Sequence, residues 1–183
     1  KDWYRNEDGN WYSLVSYYYG EERTSEDFGG FLITHNSNFV RTDLLEEIGM
    51  TMDDLRTKEG FYQALKAVKD QGLQYNGMDV IPLTGVYATY MAEQFGVQLE
   101  DEEGNLQDIR LQPEYLEALK FYNRMYNDGL ITTDEFTQDQ NQRDQKVASG
   151  QVFMAQAWMT VKDPRQALYS SDPNAKMLYA GTI

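Results

Sequence analysis

The residue types in this sequence that could do chemistry are mainly aromatic rings and carboxylates. The chain has 14 Tyr and 3 Trp but a single histidine, His35, and no cysteine. The single histidine excludes a multi-histidine metal site within this chain, and the lack of cysteine excludes disulfides and thiolate metal sites. Flat rings beside short polar or acidic side chains are typical of sites that bind a ligand by stacking and hydrogen bonding. The alternative is that most of these tyrosines serve in packing.

The most informative stretch is KVASGQVFMAQAW, from Lys146 to Trp158. Gly150 is placed to end a helix, because glycine tolerates the left-handed conformation that closes a last turn. The apolar run 152–157 then predicts a strand in the middle of a sheet, covered on both faces. In open α/β sheets ligands bind beyond the carboxyl ends of the strands, where this strand delivers Trp158. Trp158 is therefore a candidate stacking platform; the alternative is that it caps the core at the end of the sheet.

Other candidate residues lie near predicted element ends. Tyr87 falls in the first turn of a helix predicted from Val86 to Phe95, next to the backbone amides left free there. Tyr17 and Tyr19 are at the end of the predicted strand WYSLVSYYYG. Glu21 opens an acidic loop that is more typical of a solvated face than of a catalytic carboxylate set.

The remaining elements alternate between strands and helices, which predicts a layered α/β domain rather than a helical bundle or a β-sandwich. Pro82 indicates an edge strand or the start of a strand, because proline cannot donate to a strand ladder. Asp8-Gly9 predicts a turn. The other predicted features are a strand at 38–41, an N-cap at Thr42, a helix from the N-cap Thr57 to Gly72, a helix from Pro113 to Asn127 with Leu116, Leu119, Tyr122 and Tyr126 on its core face, a helical start at 134–136, an exposed segment TQDQNQRDQ, a helix opened by Asp163 and Pro164, and a strand at 176–182.

Charge and hydropathy exclude some classes of partner. The formal net charge of −14 opposes phosphate backbones and anionic lipid headgroups, so we expect no nucleic acid and no membrane-surface binding. No window approaches the ~20 apolar residues that a membrane span needs. The sequence begins at Lys1 without a start methionine or a leader, which indicates a soluble fragment of a longer protein.

The order of the segments resembles a known family, the extracellular solute-binding proteins of ABC importers, family 1, to which sugar-binding proteins belong. The resemblance covers the chain from Asp8 to about Thr182, and implies a periplasmic-binding-protein-like type II lobe with a mixed central sheet flanked by helices. Residues 1–41 would be strands and a loop near the hinge, and 42–183 the second lobe. The first lobe and the C-terminal helices would be absent, so we expect weak binding by this chain alone. The segments that carry the resemblance are DGNWYSLV, FVRTDLLEEIGM, LRTKEGFYQALKAVKDQG, VIPLTGVYATY with FGVQLEDEEGNLQ, LQPEYLEALKFYNRMYNDGLI and VASGQVFMAQAW.

The resemblance also implies roles for residues. Trp158 would stack on a sugar ring, Tyr87 would supply a second aromatic, Glu21 would lie near a cleft carboxylate, and Tyr17 and Tyr19 would lie near the hinge. The implied partners are a small-molecule solute, most often a sugar, and the membrane subunits of an ABC permease. The implied protein is a monomeric cell-surface lipoprotein without a cofactor. QAWMT and QYNGMD depart from the family pattern, which implies a ligand other than maltose.

Two further classes stay open from the residues alone. A carbohydrate-active enzyme needs two carboxylates about 5 to 10 Å apart, and the chain has many acids that could pair. The sequence contains no nucleophile elbow, no GxxxxGK[ST] loop and no HExxH motif. The other class is an interaction domain that takes no small ligand.

Overall fold

The computed structural model describes residues 8–10, 37–157 and 162–181. The chain divides into two units, Lys1–Ile33 and Thr34–Ile183. In the first unit the described residues form a turn, in which Gly9 has a φ of 81° and the Asn10 N–H donates to the Asp8 carboxylate at 2.9 Å. The predicted Asp8-Gly9 turn is confirmed. The assignment of chain segments to two lobes of a larger protein stays a prediction.

The second unit contains a four-stranded mixed sheet in the order β4-β5-β1-β6. Strand β5 is parallel to β4 and antiparallel to β1, and β1 is antiparallel to β6. The carboxyl ends of β4, β5 and β6 therefore lie at one edge, which we name the carboxyl edge; the opposite one, where β1 ends, is the amino edge. The strands are β1 (Ser37–Arg41), β2 (Gln74–Tyr75), β3 (Met78–Asp79), β4 (Ile81–Thr84), β5 (Val152–Ala157) and β6 (Met177–Gly181).

The sheet agrees with the α/β prediction. Strand β5 lies between β4 and β1, as its apolar run, interrupted only by Gln156, predicted, and β4 with Pro82 is an edge strand. Strands β2 and β3 form a separate hairpin that our sequence interpretation missed. Its two turn residues, Asn76 and Gly77, have φ values of 51° and 76°, as a two-residue Asn-Gly hairpin turn requires.

The described residues form six α-helices around the sheet, and the helix ends follow local rules where the sequence carried a clear signal. The Thr57 hydroxyl oxygen accepts a hydrogen bond from the Gly60 N–H, so the predicted N-cap is confirmed. Gly72, just after that helix, has a φ of 62°. The helices are α1 (Thr42–Glu47), α2 (Lys58–Asp70), α3 (Ala88–Gln94), α4 (Pro113–Asn127), α5 (Gln140–Ala148) and α6 (Lys162–Ser171), and short 3₁₀ helices span Met52–Arg56, Ile109–Leu111 and Thr133–Phe136.

The predicted N-cap at Thr42 is wrong. Strand β1 runs directly into α1, so Arg41 takes the cap position and Thr42 is the first helical residue. The Thr42 hydroxyl and N–H both reach the Lys176 carbonyl, at 3.3 and 2.7 Å. A tertiary partner from the start of β6 thus replaces the local cap.

The predicted core face of α4 is also wrong for most of its members. Leu116, Leu119 and Tyr126 are 53%, 43% and 39% exposed, and only Tyr122 of the predicted set is buried. The helix is rotated so that Ala118 and Met125 lie in the core with Tyr122. Helix α4 packs against α3, and a small residue such as Ala118 on the buried face of a helix permits close packing.

The core covers both faces of the sheet. The neighbouring β1 residues Phe39 and Val40 point to opposite faces and belong to different apolar clusters. The larger cluster includes Phe61, Leu65 and Met125 from α2 and α4. Among the described residues, none of the helices has the length and apolar character needed to cross a membrane.

Candidate functional site

Tyr87 lies at the carboxyl edge, in the turn between β4 and α3. Thr84 pairs with Ala155, so the turn that follows Thr84 lies beside the end of β5. Gly85 has a φ of 84°, and a Cβ atom added there would lie 1.7 Å from the Gln156 carbonyl oxygen. Only glycine allows the turn to approach β5 this closely. The close approach brings Tyr87 next to the point where the chain leaves β5.

Three contacts fix the position of Tyr87. The Arg143 Nη1 donates to the Tyr87 hydroxyl oxygen at 2.7 Å, and the guanidinium carbon lies 5.5 Å from the ring centroid. The Tyr122 hydroxyl donates to the Tyr87 backbone carbonyl at 3.3 Å. Tyr87 is nevertheless 40% exposed. The Tyr87 residue is held at its backbone carbonyl and at its hydroxyl, while its ring stays partly exposed. Such a ring can stack on a flat ligand without a large loss of side-chain rotamer entropy.

A buried carboxylate, that of Glu135, lies behind the turn. The side chain is 2% exposed, and both of its oxygens accept hydrogen bonds. Buried carboxylates are stable only when their lone pairs are satisfied, and here donors come from β4, the turn, the segment before α5, and α5. The donors to Glu135 are the Thr84 hydroxyl at 2.7 Å, the Gly85 N–H at 2.7 Å, the Val86 N–H at 3.2 Å, the Gln138 side-chain amide and the Arg143 Nη2 at 3.4 Å.

Neutral polar groups support the turn from the core side. The Gln156 side chain is fully buried, and its Oε1 accepts from the Tyr122 hydroxyl. Burial raises the pKa of Tyr122, so its hydroxyl stays protonated and acts as a hydrogen-bond donor. The Gln156 Nε2 has no hydrogen-bond partner among the described residues. These groups position the backbone of the turn.

The described part of the chain offers no metal centre, since it holds no group of three or more His, Cys, Asp or Glu side chains arranged to bind an ion. The Glu135 carboxylate behind the turn that carries Tyr87 is buried and engaged with donors. What the carboxyl edge presents is an aromatic ring with a hydroxyl group. This arrangement is suited to binding by stacking and hydrogen bonding.

A groove of about 430 Å³ runs along the flank of α5 and is lined by polar residues. Lys146 in this groove already binds the Asp134 carboxylate and the Gln138 side-chain oxygen. The hydrogen bond from Lys146 lowers the pKa of Asp134. Because the charged groups of the groove satisfy each other and no ring lines it, Tyr87 is the better candidate for ligand contact.

Of the predicted site residues, the structure describes Tyr87. Trp158 follows Ala157, the last residue of β5, but lies outside the described residues, as do Tyr17, Tyr19 and Glu21. The roles of these four residues stay predictions.

Glu135 and Arg143 are the residues that the sequence interpretation missed. Glu135 was predicted only as part of the helical start at 134–136, and Arg143 was part of the segment TQDQNQRDQ that was predicted to be exposed. Glu135 is buried instead, and the Arg143 side chain is 12% exposed. The sequence carried no signal that singles out Glu135, because the Gly85 and Val86 amides that donate to it lie before the N-cap of α3 and about 50 residues away in the chain.

The chain is similar to proteins that have been characterised, although no protein-family model matches it. Lipoprotein LipO of Bacillus subtilis (strain 168) is 30% identical over 123 residues, which are 61% of this chain and 24% of LipO. The S. pneumoniae ABC-transporter substrate-binding protein FusA in complex with kestose superposes with a TM-score of 0.64 at 19% identity, over 79% of this chain and 30% of FusA.

A sugar transporter from Arthrobacter chlorophenolicus A6 with bound laminaribiose superposes with a TM-score of 0.60 at 12% identity, over 78% of this chain and 35% of that one. The chain therefore spans about a quarter to a third of the length of these relatives. The fold class predicted from the sequence is confirmed. The described part of the chain has the α/β fold of ABC-transporter substrate-binding proteins, as the resemblance in its sequence implied.

Proposed function

We propose that this chain is part of the extracytoplasmic solute-binding component of an ABC importer, and that it binds a sugar or oligosaccharide at the carboxyl edge. The observation that carries the proposal is Tyr87, a half-exposed ring fixed at the edge where β4, β5 and β6 end. Sugars have apolar C–H faces and a rim of hydroxyl groups. A tyrosine ring can stack on the first and hydrogen bond to the second.

The similar proteins support this choice of ligand. FusA was solved with kestose and the Arthrobacter protein with laminaribiose, and both are oligosaccharide complexes. We propose that Trp158, two residues after Gln156, joins Tyr87 in stacking on the ligand, with Tyr17, Tyr19 and Glu21 contributing from the segment before β1. The proposed motion is closure of two lobes about a hinge.

The proposal includes binding without turnover. The similar solved proteins are binding proteins. We also propose that the protein acts as a monomer at the cell surface, delivers its solute to the membrane subunits of a permease, and is held by a lipid anchor. The similarity to lipoprotein LipO supports the anchor.

A ligand screen by thermal shift tests the proposal, using the protein in its full natural length with mono- and oligosaccharides that include kestose and laminaribiose. A bound sugar is expected to raise the melting temperature in a concentration-dependent way. Trp158→Ala and Tyr87→Ala should each weaken binding about tenfold, because each removes a stacking surface.

Tyr126→Ala is the matched control, because Tyr126 on α4 is 39% exposed, as Tyr87 is 40% exposed, and its ring contacts Phe136. It should leave sugar affinity unchanged. Affinity that survives both Trp158→Ala and Tyr87→Ala would remove these residues from the site. Release of hydrolysed sugar from a bound oligosaccharide would show an enzyme instead.

A further inference from the structure

We propose that Glu135 and Arg143 are positioning residues for Tyr87: Glu135 fixes the backbone before the ring, and Arg143 fixes the hydroxyl so that it donates its hydrogen to the ligand. The inference rests on the proposed function, since it treats Tyr87 as a ligand contact. It adds two residues that are distant in the sequence. Glu135 lies 50 residues after Gly85, and Arg143 lies 56 residues after Tyr87.

The backbone part of the argument starts from the turn itself. Its Gly85 and Val86 amides point toward one carboxylate oxygen of Glu135, and the Thr84 hydroxyl donates to the other oxygen. Charge-assisted hydrogen bonds of this kind are roughly twice as strong as neutral ones. A single buried side chain therefore holds three consecutive residues before Tyr87.

The turn has little freedom to move once these bonds form. Gly85 already touches the Gln156 backbone, so the turn lies between β5 on one side and Glu135 on the other. The Tyr87 side chain makes no cap hydrogen bond to α3 that could replace the hydrogen bonds to Glu135. Loss of the carboxylate would free the turn and let the ring move relative to the end of β5.

The hydroxyl part of the argument concerns the direction of a hydrogen. Arg143 has only donors, so the Tyr87 oxygen must accept at their 2.7 Å contact. The Tyr87 hydroxyl hydrogen is then directed away from Arg143. Arg143 is itself held by Gln140 at 3.2 Å and by Glu135 at 3.4 Å. We infer that the ligand presents an acceptor oxygen to Tyr87, as a sugar hydroxyl or ring oxygen would.

Double-mutant cycles in the full-length protein test both parts with the sugar found in the ligand screen. Glu135→Gln keeps the side-chain size but turns an amide group toward the donors, so we expect about a tenfold loss of affinity. In a Tyr87→Ala background the same change should cost less than about twofold, because its effect passes through the ring. Glu59→Gln, at an exposed acid paired with Arg124, is the control and should change nothing.

The second cycle pairs Arg143→Gln with Tyr87→Phe. Arg143→Gln should weaken sugar binding about fivefold in the native background and leave it unchanged when Tyr87 has no hydroxyl group. Arg110→Gln is the control, because Arg110 forms an exposed pair with Asp108. Additive losses in either cycle would show that the two residues act independently of Tyr87 and would overturn the proposal.

Amide hydrogen exchange supplies a readout that needs no ligand. Glu135→Gln should speed exchange at Gly85 and Val86 by about tenfold or more while the core amides of β5 keep their protection. Unchanged exchange at these two amides would overturn the backbone part even if no sugar binds. If Glu135→Gln does not fold, the Arg143 and Tyr87 cycle still decides the hydroxyl part, and the Tyr87→Ala result in the ligand screen decides the proposed function separately.

Discussion

An arginine, a tyrosine and a carboxylate lie together at each edge of the sheet, and the two sets are used differently. At the amino edge Arg41 lies over the Tyr75 ring at 4.4 Å and pairs with Asp43. At the carboxyl edge Arg143 lies 5.5 Å from the ring of Tyr87 and contacts Glu135. The same residue types therefore form two very similar clusters at opposite ends of the strands.

The clusters differ in whether the tyrosine ring and the tyrosine hydroxyl hydrogen stay free once the internal hydrogen bonds have formed. At the amino edge Arg41 is fully buried, its Nη1 donates to the Gly150 carbonyl at 2.8 Å, and its other donors bind Asp43. The Tyr75 hydroxyl donates to Asp172 at 2.8 Å. Because the hydroxyl hydrogen and the ring face of Tyr75 are used inside the protein, the amino edge contributes stability.

At the carboxyl edge the carboxylate is the buried member and the tyrosine is exposed. The Glu135 carboxylate accepts the hydrogen bonds of the turn. The Tyr87 hydroxyl accepts a hydrogen bond from Arg143 instead of donating one to an acid. The exposed part of the Tyr87 ring and its hydroxyl hydrogen are thus available for a ligand. The comparison teaches that the direction of one hydroxyl hydrogen bond separates a structural cluster from a candidate binding cluster.

The largest effect on stability is expected from Arg41→Met. The change leaves the Asp43 carboxylate and the Gly150 carbonyl without their partner, and breaking a buried pair costs about 3 to 5 kcal/mol. Because Asp43 is partly exposed, we expect about 3 kcal/mol in the free energy of unfolding, measured by urea titration. Sugar affinity of the folded protein should stay within about twofold, since the amino edge is distant from the site.

Arg56→Met is the control for that experiment. Arg56 pairs with Asp53 at 3.0 Å, but both side chains are largely exposed, so its removal should cost at most about 0.5 kcal/mol. Equal losses for the two variants would show that the cluster at the amino edge adds no special stability.

Gly150→Ala should have the next largest effect. Gly150 has a φ of 80°, and a Cβ atom there would lie 2.2 Å from the Tyr75 ring. Gly49→Ala is the matched control, because Gly49 has a φ of 76° with no heavy atom within 4 Å of the added Cβ. Backbone strain alone costs about 1 kcal/mol, so Gly49→Ala should lose about that much and Gly150→Ala about 2 to 3 kcal/mol, by thermal unfolding. Equal values would mean that Tyr75 moves aside freely.

Tyr122→Phe tests the support behind Tyr87 and should have a smaller effect. It removes the hydroxyl that donates to the Gln156 side chain and the Tyr87 carbonyl. The expected loss is about 1 to 2 kcal/mol in the free energy of unfolding, with weaker sugar binding, because a buried acceptor is left unpaired. Tyr126→Phe on the exposed side of the same helix should leave both quantities unchanged. A loss of stability without any loss of affinity would separate Tyr122 from the site.

The smallest effect concerns acid stability and separates the two tyrosines. The hydrogen bond from the Tyr75 hydroxyl lowers the pKa of Asp172 from its ordinary value of 3.8. A carboxyl whose folded pKa is lowered contributes stability above pH 3.8 that is lost as the pH falls through the lowered pKa. Tyr75→Phe should therefore flatten the fall in stability between about pH 4 and pH 2. Tyr87→Phe should not change it, and an identical response of the two variants would contradict this assignment of the cluster at the amino edge.

Much of the local structure was predictable because its causes lie within a few residues of each other. Thr57 caps α2 through the Gly60 amide three residues later, and Pro113 begins α4 without needing an amide hydrogen bond. The apolar run of β5 predicted a central strand, and Pro82 predicted an edge strand. The Asn76-Gly77 hairpin carried an equally local signal that our interpretation missed.

The candidate site was predictable only in part. Tyr87 could be placed near a helix start, since the turn and the helix are adjacent in sequence. The partners that fix it could not be chosen, because Glu135 looks like its neighbour Asp134 in the sequence. Burial of one acid and exposure of the other follow from the packing of the Thr133–Phe136 segment against the end of β4.

The sequence by itself determined where α2 and α4 begin and where the chain turns after α2, since caps, prolines and glycines act through backbone conformation and hydrogen bonds between near neighbours. Only the tertiary structure decided which face of α4 is buried and which acid holds the turn before Tyr87. It also decided that the Thr42 hydroxyl bonds to the Lys176 carbonyl instead of capping α1. These outcomes depend on contacts between segments far apart in the chain, whose energies come from packing and desolvation.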